Sequence, residues 1–247
     1  MTEHRIPTQD GGDFAAYVAL PQTTPAPAII LLQEVYGVNR FMQKIADFWA
    51  LEGFIAICPD LYWRIAPGIV LDPETEGHRD RALETRKQME IDRAVEDVGA
   101  AIAYARSLDA CSGKVGTSGY CLGGLLAYLT ATRGDADCNV SYYGVGIEDY
   151  LDEADRIGKP LMLHIAEDDP YTPPEVRSRL SQVLGSHPEV TIHTYPGVGH
   201  AFAREGASAD VPRAREQANA RTRSLFGEAL LDQARSPSPA ISTENSR

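Results

Sequence analysis

Two glycines flank a cysteine in Gly119-Tyr120-Cys121-Leu122-Gly123, and that pentapeptide restricts the fold more than any other stretch of the chain. It follows a short β-type run, Lys114-Val115-Gly116-Thr117, and opens an apolar run, Leu125-Leu126-Ala127-Tyr128-Leu129, that reads as a helix. A strand that turns directly into a helix crowds the Cβ atoms beside the turn, and glycine relieves that crowding. Such a turn lifts its central side chain above the sheet, where a thiolate can attack carbonyl carbon. The competing reading is a buried structural thiol in a glycine-rich turn.

The rest of the chain supplies the strands and helices such a turn needs. His4 to Leu20 reads as a β-hairpin turning at Asp10-Gly11-Gly12, followed by a proline-rich connection from Pro21 to Pro27. Ala28–Leu32 and Phe54–Cys58 are continuous apolar runs of strand length, suited to parallel strands buried on both faces. Phe41–Glu52 between them is an amphipathic helix ended by Gly53. A polar stretch from Trp63 to about Gly77 precedes a helical region spanning His78–Ser107. Val140–Tyr143, Pro160–Ala166 and Val190–Tyr195 add strands, and Pro174–Leu184 and Val211–Leu231 add helices. This alternation predicts an α/β fold, a mostly parallel central sheet with helices on both faces. Residues 1–235 are expected to form a single domain, and Ser236–Arg247 to be a disordered tail.

The net charge of −12 argues against a nucleic-acid partner, which needs a basic face. Local arginines can still reverse the field for a small anion. No apolar run reaches the roughly 18 residues that span a bilayer, and no signal-peptide core follows Met1. Cys58, Cys111, Cys121 and Cys138 show no metal-type pairing, and the histidines show no ligand spacing. The expectation is a protein of the reducing cytoplasm, without metal, cofactor or membrane partner.

In a parallel sheet, chemistry gathers at the C-terminal ends of the strands. Glu34, Cys121, Asp169 and His200 all follow predicted strands there. The chain order nucleophile, acid, histidine is that of α/β-hydrolases. His200 is the candidate base and Asp169 the group that orients it, although His200 read alone is a histidine of a glycine-rich loop. Asp168 competes for the acid role; Asp169 is favoured because Asp169-Pro170-Tyr171-Thr172-Pro173 has the form of an acid-bearing turn. Glu34 read alone is a capping or surface carboxylate. Its loop is the one that donates an amide to an oxyanion hole, so the backbone N–H groups of Val35 and Leu122 are the candidate donors.

Four segments together resemble the dienelactone hydrolase (carboxymethylenebutenolidase) family: Gln33-Glu34-Val35-Tyr36-Gly37-Val38-Asn39, Gly119-Tyr120-Cys121-Leu122-Gly123-Gly124, Tyr142-Tyr143-Gly144-Val145-Gly146, and Gly199-His200-Ala201-Phe202-Ala203-Arg204. The resemblance implies an α/β-hydrolase fold without a large lid. It implies an anionic substrate, an enol-lactone bearing a carboxylate, opened to maleylacetate in the breakdown of chlorinated catechols. Cys121, Asp169 and His200 fall on the triad, and Glu34 on the group that holds the resting thiol and takes its proton. Arg79 and Arg204 fall on two arginines that engage the substrate carboxylate, and Tyr143 on a pocket tyrosine. Tyr36 stands beside Glu34 where phenylalanine is common, and a substrate anion arriving there could disturb any Glu34–Arg79 contact. The chain departs from the pattern at Leu83-Glu84-Thr85-Arg86, where pocket aromatics are usual, and at Ala201, where serine is frequent. These departures keep open a broader carboxylesterase or thioesterase, and a non-catalytic binding module is the reading from a different class. The oligomer is expected to be a monomer or a small homo-oligomer.

Overall fold

The chain enters its sheet through a hairpin, β1 (His4–Pro7) and β2 (Asp13–Ala19), paired antiparallel from His4↔Ala16 to Pro7↔Asp13. The structure is a computed structural model that describes residues 4–231, so the tail from Ser236 and the end of the expected 1–235 domain lie outside the described residues. Next come β3 (Ala26–Leu32), α1 (Arg40–Leu51) and β4 (Ile55–Pro59), with every residue of both strands buried. Asn39 caps α1 by accepting from the Met42 amide, and Gly53, at a φ of 96°, ends it.

The helical region expected over His78–Ser107 is two helices, α2 (His78–Lys87) and α3 (Ile91–Ser107). No glycine or proline punctuates the break. What separates them is packing: α3 buries a stripe of Ala94, Val98, Ala101, Ile102 and Ala105, whereas α2 buries only Ala82 and Thr85. β5 (Cys111–Tyr120) and α4 (Leu122–Arg133) follow, then β6 (Cys138–Tyr142). A kinked 3₁₀ stretch, Ile147–Arg156, leads to β7 (Leu161–Ala166), α5 (Pro174–Leu184), β8 (Val190–Tyr195) and α6 (Pro212–Leu230).

The strands form one eight-stranded sheet in the order β1-β2-β4-β3-β5-β6-β7-β8, parallel from β4 to β8. Successive side chains of a strand point to opposite faces. Ile30 and Leu32 accordingly pack with Val98 and Ala101 of α3 and Leu126 of α4, while Ile29 and Leu31 pack with Trp49 of α1 and Phe226 of α6. Both faces are therefore covered, which is the α/β-hydrolase architecture, and no large lid domain is added to it. No helix among the described residues is long and apolar enough to cross a membrane. Because β3, β5, β6, β7 and β8 run in parallel, the loops that follow them open on one edge of the sheet.

Candidate active site

Cys121 is the single joint between β5 and α4, with φ 57° and ψ −112°. A Cβ on Gly119 would stand 1.8 Å from the Gly123 carbonyl oxygen, and one on Gly123 would stand 2.1 Å from that of Leu32. Glycine is thus obligatory at both positions, and its absence of bulk brings the start of α4 against the end of β3. The Cys121 amide donates to the Tyr142 carbonyl at 3.0 Å, and its own carbonyl accepts from Gly124 at 2.9 Å. A non-glycine residue held at such a φ costs about 1–3 kcal/mol and persists only where its surroundings impose it. The other non-glycine residues of positive φ are Tyr143 (39°) and Ala201 (62°), which follow β6 and His200. Backbone strain is concentrated on this edge.

His200 and Asp169 converge on the elbow from different loops. His200 Nδ1 lies 2.7 Å from Asp169 Oδ2. An ionised carboxylate only accepts, so Nδ1 carries a proton towards Asp169 and Nε2 is the ring nitrogen left for other groups of the site. Burial of the ring disfavours its charge, but the bond to Asp169 and the neighbouring Cys121 outweigh it and raise the His200 pKa to about 10. Asp169 Oδ1 accepts from the Tyr171 amide at 2.8 Å, which fixes the carboxylate from its other side. Asp169 is buried, whereas its competitors Glu167 and Asp168 are exposed. Tyr143 is buried with its ring edge-on to His200, centroids 5.1 Å apart, and burial pushes its hydroxyl well above the usual tyrosine range.

Glu34 follows β3 and is 1 % exposed. Both of its oxygens are taken by Arg204: Nε donates to Oε2 and a terminal nitrogen to Oε1, each at 3.0 Å. Burial opposes the charge of Arg204, yet Glu34 holds its pKa above the ordinary arginine value. The guanidinium also lies over the Tyr36 ring, 5.3 Å from its centroid. Glu34 and Arg79 do not pair. Arg79 is on exposed α2 and donates instead to the Tyr171 hydroxyl at 2.7 Å. Both oxygens of Glu34 are engaged by Arg204, so the carboxylate that the resemblance assigns to the resting thiol is paired with a guanidinium instead. Val35 follows Glu34 in its loop, and the Leu122 amide is one of the unpaired donors of the first turn of α4.

The pairing can be measured by its two-pronged character. Arg204→Lys keeps the charge but offers a point donor in place of a planar fork. Loss of one charge-assisted hydrogen bond is expected to cost on the order of 2 kcal/mol, read as a lower thermal midpoint. An unchanged midpoint would mean that the bidentate geometry contributes nothing.

Two neighbours of the site escaped the sequence reading. Tyr171 packs edge-on against His200, ring centroids 4.7 Å apart. Tyr62 is fully buried, its hydroxyl has no hydrogen-bond partner among the described residues, and the charges of Arg86 and Cys121 both act on it. The acid-bearing turn could have pointed to Tyr171; nothing in the sequence marks Tyr62, which falls between the Phe54–Cys58 strand and the polar stretch that begins at Trp63. The other cysteines lie apart from the elbow: Cys58 and Cys138 are buried in strands, Cys111 is half-buried, and none is in a disulfide.

This arrangement can perform acyl transfer: a sulfur nucleophile, a hydrogen-bonded imidazole with its orienting carboxylate, and amides at a helix start. The chain is 41 % identical to a carboxymethylenebutenolidase of Pseudomonas sp. strain P51, over 88 % of this chain and 91 % of that one. It is 40 % identical to the carboxymethylenebutenolidase of Pseudomonas putida, over 87 % and 92 % of the two chains. Among solved structures it resembles a dienelactone hydrolase-like promiscuous phosphotriesterase from metagenomic libraries, with a TM-score of 0.74 and 18 % identity over 93 % of this chain and 98 % of that one. An esterase of Pyrococcus furiosus superposes with a TM-score of 0.70 at 14 % identity, over 92 % of each chain. These two likenesses concern the fold alone. The sequence model of the dienelactone hydrolase family matches residues 14–230, and the chain belongs to that family.

Proposed function

We propose that this protein is a cysteine-dependent hydrolase that opens the enol-lactone ring of dienelactone-type acids to maleylacetate. The observation that carries the reading is the meeting of Cys121, His200 and Asp169 at the elbow, with the buried Glu34–Arg204 pair and Arg79 on the same edge. The substrate carboxylate binds to Arg79 and draws on the fork of Arg204, whose planar donors match it. As Arg204 turns to the substrate, Glu34 is freed to accept the thiol proton, because His200, raised to about 10, is already protonated at neutral pH. Cys121 sulfur bonds to the lactone carbonyl carbon, and the oxyanion is held by the amides of Val35 and Leu122. Collapse of that intermediate breaks the ring C–O bond and expels an enolate, a stable leaving group. Water deprotonated by that enolate then cleaves the thioester, and the proton held by Glu34 returns to the sulfur, releasing the diacid and restoring the thiol. A reducing compartment such as the cytoplasm keeps Cys121 in the thiol form this scheme requires.

The second reading, a broader carboxylesterase or thioesterase, draws on Leu83 and Arg86, which stand half-buried on α2 where the family places aromatics. One assay separates the two: turnover of cis- and trans-dienelactone beside their methyl esters. Removing a charge-assisted contact to arginine is expected to lower kcat/KM for the esters by about 10-fold or more. Equal values for acid and ester would overturn the lactone reading in favour of the broader one.

A further inference from the structure

We propose that Tyr171 is a positioning residue for substrate binding, whose phenol holds the guanidinium of Arg79 at the mouth of the site. The proposal rests on the lactone reading above, because it assigns Arg79 a carboxylate to receive.

Arg79 needs something to hold it. It is the second residue of α2, and that helix buries only Ala82 and Thr85, so its grip on the body of the protein is slight. Gly77 at its N-cap supplies no side-chain cap. The arginine side chain is exposed, and its only side-chain hydrogen bond among the described residues runs to the Tyr171 hydroxyl, at 2.7 Å. An exposed arginine without that bond loses rotamer entropy when a ligand immobilises it. Restraining it beforehand makes binding tighter with no new contact to the ligand.

Tyr171, in contrast, is well fixed. Its amide donates to Asp169 Oδ1 at 2.8 Å, the same carboxylate that binds His200 through Oδ2. The Thr172 amide closes the turn on the Asp169 carbonyl at 3.2 Å, and Arg177 donates to the Thr172 carbonyl at 2.9 Å. The Tyr171 ring rests edge-on against His200, with centroids 4.7 Å apart. The phenol therefore ties a lightly anchored helix to a turn held by several hydrogen bonds. One terminal nitrogen of Arg79 is engaged by the phenol. The other guanidinium donors remain for a carboxylate, since a guanidinium carries five N–H groups.

Tyr171→Phe tests this, because it keeps the ring on His200 and removes only the acceptor for Arg79. The readout is kcat and KM for dienelactone and for its methyl ester, with thermal melting as the check on folding. For the free acid, KM is expected to rise about 3–10-fold with kcat within about 2-fold of the parent. For the methyl ester, both constants are expected to stay where they were, and Arg79→Ala should show the same selective loss. A Tyr171→Phe enzyme that binds the acid as the parent does overturns the proposal. So does an equal rise in KM for acid and ester, which would mean that the phenol shapes the pocket and not Arg79. If the parent enzyme itself treats acid and ester alike, the lactone reading falls and this proposal with it; if the parent discriminates and Tyr171→Phe discriminates equally well, only the proposal falls.

Discussion

Cys121→Ala is expected to lower kcat for dienelactone by about 10³-fold or more, the scale seen when a nucleophile is removed from a triad. The fold should survive the change. Alanine adopts the φ of 57° no less readily than cysteine, and the glycines that make the turn possible are untouched. Circular dichroism should superpose on that of the parent. The thiol itself can be followed by alkylation and mass spectrometry. Burial pushes the Cys58 and Cys138 thiols far above the usual range, so neither should react in the folded protein. Half-buried Cys111 is the internal comparison, and Cys121 should be modified faster than it, with loss of activity tracking Cys121 alone. A Cys121→Ala enzyme that retains lactonase activity would remove the nucleophile from the mechanism.

Asp169→Asn is expected to lower kcat by up to about 10⁴-fold while leaving the loop in place. The asparagine oxygen can still accept from the Tyr171 amide, but the charge that orients His200 is gone. The effect on pH follows from direction. The His200 pKa stands raised from 6.5 to about 10, with the Asp169 hydrogen bond as the largest of the contributions that raise it. A raised pKa stabilises the folded protein fully below about 6.5, and that contribution is lost as pH climbs through about 10. Asp169→Asn should therefore lower the His200 titration midpoint and flatten the alkaline fall in stability. Heteronuclear NMR of the His200 ring reads the first effect, and thermal melting across the alkaline range reads the second. A midpoint that does not move would show that Asp169 exerts no electrostatic control over His200.

How much of this was visible beforehand depends on how local the cause is. The elbow was legible because its constraint is steric and lies within five residues: Gly119 and Gly123 are the positions where a Cβ would strike backbone. The buried strands were legible because a strand covered on both faces has no polar side, as Ala28–Leu32 and Phe54–Cys58 show. The order Cys121, Asp169, His200 reflects strand order, and parallel connection brings strand ends to one edge. The break between α2 and α3 was not legible, because it comes from what each helix packs against and no breaker residue marks it.

Side-chain partnership was decided at a still longer range. Glu34 and Arg204 lie 170 positions apart, and Arg79 was an equally reasonable partner while only motifs were in view. Three strands separate β3 from β8 in the sheet, and the loop after β8 reaches back to the loop after β3, so Arg204 meets Glu34 inside the protein while α2 holds Arg79 outside, against Tyr171. The sequence by itself thus determined the cysteine elbow, the alternation of strands and helices, and the set of groups at the strand ends. The tertiary structure alone decided that Arg204 covers Glu34 and that Arg79 bonds to Tyr171. The physical reason is range: backbone sterics and burial patterns act between neighbours in the chain, whereas a charge pairs with whatever the fold places within about 3 Å of it.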